Sequence, residues 1–478
     1  MSVLKGYYPE NVFGFFEDIC AIPHGSGDEE RIADYIESVC REAGVYVYRD
    51  RFNNVFARKN AKEGFEDYPA GLLQGHTDMV CEKSADSTHD FTKDGLKLQV
   101  KDGFLTASGT TLGADNGIAV AMMLGVLTDK ELEHGVVECL FTVDEERGMT
   151  GAANFDFSCV SARRVINLDS EAEGECIVSC AGGTDIGYSF ENEYIKNVHP
   201  TARITVSGLS GGHSGADIHL GRLNANNCMA RFLWDEYNRK PFQLISIDGG
   251  DKRNVITGEC TALISCDHID ELRQRAALYN DELRSRAYGA DKKVRVTVDK
   301  KGVRERALSF SQTSRILRMM NLAPAGMLEK EPEGMVVASA NLGVVSTGDE
   351  RVELQYLFRF NAKTYYDEYR ARYEALGELL GARTDIGGYY SCWEKREGSE
   401  LVQIYRDVYS RLYNGREARV SGLHAGVECG FISEGLFGEA DLISIGPDMF
   451  DIHTPRERLD ILSAGRTYGL LLKLLCQK

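Results

Sequence analysis

Four apolar runs in this chain stop abruptly at histidine or acidic residues, and that pattern limits the fold more than any other feature. Gly71-Leu72-Leu73-Gln74-Gly75 ends at His76, residues 136–143 end in Asp144-Glu145-Glu146, and 164–168 end at Asp169. Near the C-terminus, 441–445 run into Gly446-Pro447-Asp448 and then reach His453. Short continuous apolar runs bounded by polar residues are how strands buried on both faces read. Ahead of them lies an amphipathic helix over 28–43, with Ile32, Ile36, Val39, Cys40 and Ala43 on one face. Gly25-Ser26-Gly27 leads into it and Gly44 stops it. Strand-like runs follow at 45–48 and 54–58, then a hairpin over 96–107 turning at Asp102-Gly103. A buried helix opens at Gly113 and carries Asp115 in its first turn. Apolar runs alternating with helices predict an α/β fold with a mixed, mainly parallel sheet. Such sheets place their sites just past the C-terminal ends of the strands, where these polar residues stand.

The middle of the chain reads differently. Strand-like segments at 202–206, 260–266, 293–298 and 351–360 mix with helices near 222–238, 270–286 and 364–380. Two strand–helix–strand blocks point to an α+β domain of two similar halves, although no strict sequence repeat marks them. The α/β pattern resumes after about Ser399. A chain of 478 residues is long enough for two or three domains. The simplest organisation is one α/β domain in two segments, 1–183 and 394–478, with the α+β domain of 184–393 inserted between them.

Composition excludes more than it identifies. The net charge of −18, with no basic cluster, argues against nucleic acid as a partner. No apolar stretch reaches eighteen residues, so no membrane span is expected. The N-terminus meets acidic residues too early for a secretory signal. The 13 cysteines are an odd number set in apolar segments, as at Cys139, which fits buried free thiols in a reducing compartment. Cys176 and Cys180 lack the second pair that a zinc-finger site needs. A cytoplasmic protein is the expectation.

Each polar strand end has a structural and a chemical reading. His76 either caps a strand in a loop or ligates a metal, with Asp78 orienting its ring. Glu145 and Glu146 either form a solvated acidic turn or divide two tasks. At a strand end they would point in different directions, one to a metal and the other to a proton of the attacking water. Asp115, among glycines in Leu112-Gly113-Ala114-Asp115-Asn116-Gly117, either caps its helix or bridges two metals. Asp169 and His453 are each compatible with a turn. Together, two histidines and three carboxylates make a mixed nitrogen and oxygen set that suits Zn²⁺, with Mn²⁺ or Co²⁺ as rivals.

The ordered segments HTDMV (76–80), LGADNG (112–117), FTVDEERGMTGA (141–152), INLDSE (166–171) and DIHTP (451–455) resemble the dinuclear-zinc aminoacylase and carboxypeptidase-G clan. Within it, GGHSGADIHLGRLNA (211–225), KRNVIT (252–257) and LHAGVECG (423–430) resemble the bacterial aminoacyl-histidine, or cytosol non-specific, dipeptidases. The resemblance runs over essentially the whole chain. It implies two divalent metal ions, one held by His76 and Asp169 and the other by Glu146 and His453, with Asp115 bridging and a cis peptide bond after it. Asp78 becomes the catalytic partner of His76, and Glu145 the general base. The inserted domain becomes a lid. His213, or its neighbour His219, stabilises the oxyanion there, while Asn254 and Arg359 hold the substrate's carboxylate. The implied activity is hydrolysis of Xaa-His and other unblocked dipeptides, in a homodimer formed through the lid. The rivals are an N-acyl amino acid amidohydrolase, a tripeptidase or carboxypeptidase, and a non-catalytic scaffold. The last is disfavoured because every metal and base position is filled.

Overall fold

A computed structural model describes residues 2–332 and 334–478, and the chain forms two compact units. The first comprises Met1–Cys180, Trp393–Leu423 and Val427–Lys478, and the second Ala181–Cys392 with His424–Gly426. Among the described residues no helix is long and apolar enough to cross a membrane.

The first unit is built on an eight-stranded sheet. Its strands run in the order Tyr46–Arg49, Val55–Lys59, Val137–Thr142, Gly71–His76, Arg164–Asn167, Asp441–Ser444, Glu175–Cys180 and Arg419–Leu423. Four of the seven neighbouring pairs are parallel, and three of those join the central strands. The mixed, mainly parallel sheet expected from the apolar runs is therefore the one that forms. Successive residues on a strand face opposite ways, and both faces here are covered. Leu73, Phe141, Ile166 and Ile443 join a core with the helices Glu10–Ala21, Ala114–Thr128 and Ile461–Leu475. Their neighbours Leu72, Leu140, Val165 and Leu442 join another with Phe155, Phe157 and Ile432. Every residue from Ala114 to Leu127 is buried, which explains why that helix shows no amphipathic pattern.

The C-terminal part departs from expectation. His453 does not follow the Asp441–Ser444 strand directly. It sits with φ +58° in a turn after the short strand Met449–Phe450, which belongs to a separate four-stranded sheet with Arg458–Asp460, Phe104–Ala107 and Leu98–Lys101. The Asp102-Gly103 hairpin thus supports the turn that carries a candidate ligand.

The second unit holds an antiparallel sheet in two halves of the same topology. Strands Thr201–Ser207, Gln243–Gly249, Cys260–Ser265 and Arg295–Lys301, with helices Ala225–Arg239 and Ile269–Arg286, run strand–helix–strand–strand–helix–strand. Strands Gly182–Glu191, Val336–Thr347, Arg351–Phe360 and Arg383–Tyr390 do the same with helices Phe310–Leu322 and Lys363–Leu380. In both halves the fourth strand flanks the first, followed by the third and second, and the halves join where Gly249 pairs with Val345. This is the ferredoxin-like arrangement twice over. One half is threaded between the first strand and first helix of the other, so the two copies are not consecutive in sequence.

Candidate metal centre

His76 is the last residue of the Gly71–His76 strand and is fully buried. Its Nδ1 lies 3.0 Å from the carbonyl oxygen of Asp78 and 3.4 Å from Asp78 Oδ1. With acceptors on that side, Nδ1 carries the ring proton and Nε2 is left as the ligand atom. Nε2 is 3.2 Å from Asp115 Oδ1 and 3.4 Å from Asp169 Oδ1. The other oxygen of Asp115, Oδ2, is 3.2 Å from His453 Nε2, which is itself 2.9 Å from Glu146 Oε1. One carboxylate thus turns its two oxygens toward two imidazoles, and each imidazole has a second carboxylate of its own. Ligand atoms of His76, Asp115 and Glu146 all lie within 4.8 Å of one another.

Asp78 explains how this geometry is held. Its carboxylate accepts from Ser26 Oγ at 2.7 Å and from the backbone N–H groups of Glu145 and Glu146 at 3.0 and 3.2 Å. Burial alone would raise its pKa, but His76 and these donors hold it down at about 2. Here the structure corrects the expectation for Glu145 and Glu146. They do not alternate at a strand end but open a single helical turn, Glu145–Gly148, entered through Asp144 at φ +57°. The turn separates the two carboxylates because its first N–H groups are fastened to Asp78.

The loop before Asp115 is held by a residue that sequence reasoning missed. Glu457, almost fully buried, accepts from the N–H groups of Leu112, Gly113, Ala114 and Asp115 at 2.7, 3.1, 2.8 and 3.4 Å. Gly113, at φ +67°, leaves room for Met79, whose sulfur would lie 2.9 Å from any Cβ there. The Asp115–Asn116 peptide is cis, as the resemblance implied. The Asn116 amide accepts from His76 N–H and donates to the Leu168 carbonyl, tying three segments together. Beneath them Glu428, also missed, accepts from Gln74 Nε2 at 2.5 Å and Thr142 Oγ1 at 2.6 Å, and burial raises its pKa to about 8. In the sequence Glu428 stands out only as part of the LHAGVECG segment.

The electrostatics fit a cation. Burial pushes Asp169 up to about 6 and Glu145 well above the usual carboxylate range. Hydrogen bonds to Asp115 and Glu146 pull His453 up to about 11. Burial alone would lower His76, but Asp169, Asp115 and Asp78 outweigh it and raise the group well above its ordinary value. The protons drawn to these imidazoles mark where positive charge is wanted, and the nitrogen and oxygen donors suit a divalent metal.

The remaining candidates belong to the second unit. His213 lies on the two-residue strand Gly212–His213, which pairs with Val255–Ile256 and so brings Asn254 alongside. His213 Nδ1 accepts from Ala216 N–H at 2.9 Å, so its proton rests on Nε2, and burial keeps the ring neutral. That Nε2 is 3.5 Å from Nη2 of Arg359. Arg359 is 5% exposed and its Nε has no hydrogen-bond partner. Two donors converging without an acceptor describe a site for a negative oxygen. His219 instead lies exposed on the turn Ile218–Leu220. Asn254, also exposed, helps to line a polar cavity of about 450 Å³ together with Asp185, Arg253 and Gln355.

Known proteins are similar over the same span. The profile of Peptidase family M20/M25/M40 matches residues 72–477. The cytosol non-specific dipeptidase of Escherichia coli (strain K12) is 36% identical over 481 residues, 99% of each chain. The crystal structure of aminoacylhistidine dipeptidase from Vibrio alginolyticus is 34% identical with a TM-score of 0.92, covering 99% of this chain and 97% of that one. A tripeptidase from Staphylococcus aureus subsp. aureus Mu50, 18% identical with a TM-score of 0.59 over 98% of both chains, shares the fold. Ligand geometry and family match agree: the chain belongs to peptidase family M20/M25/M40.

Proposed function

We propose that this chain is a cytoplasmic metallo-dipeptidase acting on Xaa-His and other unblocked dipeptides. The observation that carries the reading is Asp115, whose two oxygens each face an imidazole backed by a further carboxylate. His76, Asp169 and one oxygen of Asp115 would hold one divalent ion; His453, Glu146 and the other oxygen would hold the second. Zn²⁺ suits this set, with Mn²⁺ and Co²⁺ as rivals. Bound there, such ions lower the pKa of water toward ~7 and stabilise charge on a carbonyl oxygen.

The chain's own groups supply the rest. Glu145 takes the proton of the attacking water and returns it to the leaving amine, as a general base and then acid. Asp78 holds both His76 and the turn bearing Glu145. In the second unit, read as the lid, His213 donates Nε2–H to the oxyanion, and Arg359 with Asn254 receives the substrate's carboxylate. A homodimer formed through that unit belongs to the same reading, and light scattering tests it.

The 36% and 34% identities to two dipeptidases support the substrate class. Purified protein should cleave a panel of unblocked dipeptides, lose activity to a chelator and regain it with Zn²⁺, Mn²⁺ or Co²⁺. Firm metal occupancy with no hydrolysis across the panel overturns the peptidase reading. Faster turnover of N-acyl amino acids, or of tripeptides, would favour the amidohydrolase or tripeptidase alternatives instead.

A further inference from the structure

We propose that Tyr390 is the positioning residue that aims the Arg359 guanidinium, and that Gly183 and Gly426 are glycines because the tyrosine ring lies against them. The inference rests on the assignment of Arg359 to the substrate's carboxylate.

Three adjacent strands create the arrangement. Gly183 in Gly182–Glu191 is the cross-strand partner of Arg359 on one side and of Tyr390 on the other. Residues directly opposite in antiparallel strands project from the same face, so all three share one row. Strands are spaced by about 4.8 Å, so Arg359 and Tyr390 would normally be separated by the side chain between them. Here that side chain is absent. A Cβ on Gly183 would lie 2.3 Å from the Tyr390 oxygen and 2.4 Å from its Cζ, and a Cβ on Gly426 would lie 2.7 Å from Cε2. The ring therefore occupies the gap, and its hydroxyl accepts from Arg359 Nη1 at 2.7 Å.

A bulge puts Tyr390, rather than its neighbour, in this row. Gly387 pairs with Asp185, but the next pairing is Tyr390 with Gly183, so three steps on one strand match two on the other. Gly388 absorbs the extra residue at φ +59°. Tyr389 then stacks on Phe360, with ring centroids 6.0 Å apart. Re-aiming a side chain is a common use of a bulge.

The chemistry of the partner matters as much as its place. An aspartate or glutamate would hold the guanidinium more firmly but would neutralise it. A phenol is uncharged at neutral pH, so it orients the planar fork while leaving the positive charge and the remaining N–H groups for an incoming carboxylate.

The test compares unblocked dipeptides with the corresponding dipeptide amides, which lack the carboxylate. Tyr390→Phe keeps the ring and removes one hydrogen bond to a charged group. It should raise KM for the dipeptide about tenfold, change kcat less than about threefold, and leave the amide's parameters unaltered. Arg359→Lys, measured in parallel, should also lose the preference for the free carboxylate. If Arg359→Lys loses it and Tyr390→Phe matches the unaltered protein, the positioning role of Tyr390 is wrong. If Arg359→Lys keeps the full preference, the carboxylate assignment itself falls, and the role of Tyr390 with it.

Discussion

The two polar centres of this molecule are organised in opposite ways. In the first unit, carboxylates outnumber the imidazoles they surround, and burial raises the pKa of Asp169 and Glu145. In the second, the guanidinium of Arg359 is buried with neutral neighbours, the Tyr390 hydroxyl and the His213 ring. Buried charge is costly unless it is paired, so each centre describes its missing partner by sign. The first suits added positive charge, and the second suits an anionic oxygen. The difference teaches that a binding centre can be read from the charge its own residues leave unbalanced.

The largest expected effect separates holding metal from using it. Glu145→Gln should lower kcat by about 10²–10⁴-fold while metal content per chain stays unchanged. Near-normal kcat in that variant would falsify the general-base assignment. Next comes the loop that presents Asp115. Glu457→Gln turns an amide N–H₂ toward backbone donors that now meet a carboxylate, and should destabilise the first unit by about 3 kcal/mol. Denaturant unfolding would register this, and metal titration should show weaker binding; an unchanged midpoint and affinity would mean that the loop holds itself.

Two smaller effects belong to the second unit. Gly183→Ala should expel the Tyr390 ring and raise KM for unblocked dipeptides about tenfold, as loss of the hydroxyl does. Combining it with Tyr390→Phe should add little, because both remove the same contact. An additive double variant would show that the two act separately. The last effect concerns His424, buried between Asn361 Oδ1 and Ser339 Oγ at 2.8 Å each. Burial, and then Arg359, lower its pKa to about 3. The folded chain refuses a proton that the unfolded chain takes up below its ordinary value near 6.5. Stability should therefore be lost as pH falls from about 6.5 toward about 3, by at most about 1.4 kcal/mol per pH unit. His424→Gln should remove that part of the slope, and urea midpoints at pH 7 and pH 5 would reveal it. An identical slope in both proteins would count against His424 as its source.

The first centre was more legible in the sequence than the second. His76 and Asp169 stand at or just past the ends of short apolar strands, so local pattern alone located them. Glu145 and Glu146 were placed on a strand end but lie on a helical turn, because the Asp78 carboxylate captures their N–H groups across 67 and 68 residues. Glu457 and Glu428 carried no local signal. One is a lone acid after the His453 turn, and the other sits among small apolar residues. Each acquires its role only from donors hundreds of positions away. The near-repeat of the second unit was faint for a related reason, since one half interrupts the other.

By itself, the sequence determined the alternation of buried strands and helices, the order of the candidate ligands from His76 to His453, and the acidic, thiol-rich character of the chain. These are local properties, set by side-chain periodicity and residue type. Only the tertiary structure decided that Asp115 faces two imidazoles, that Glu457 clamps the loop before it, and that Tyr390 reaches Arg359 across Gly183. Those depend on strand register and on hydrogen bonds between distant segments, and a one-residue shift in register would send each side chain to the other face.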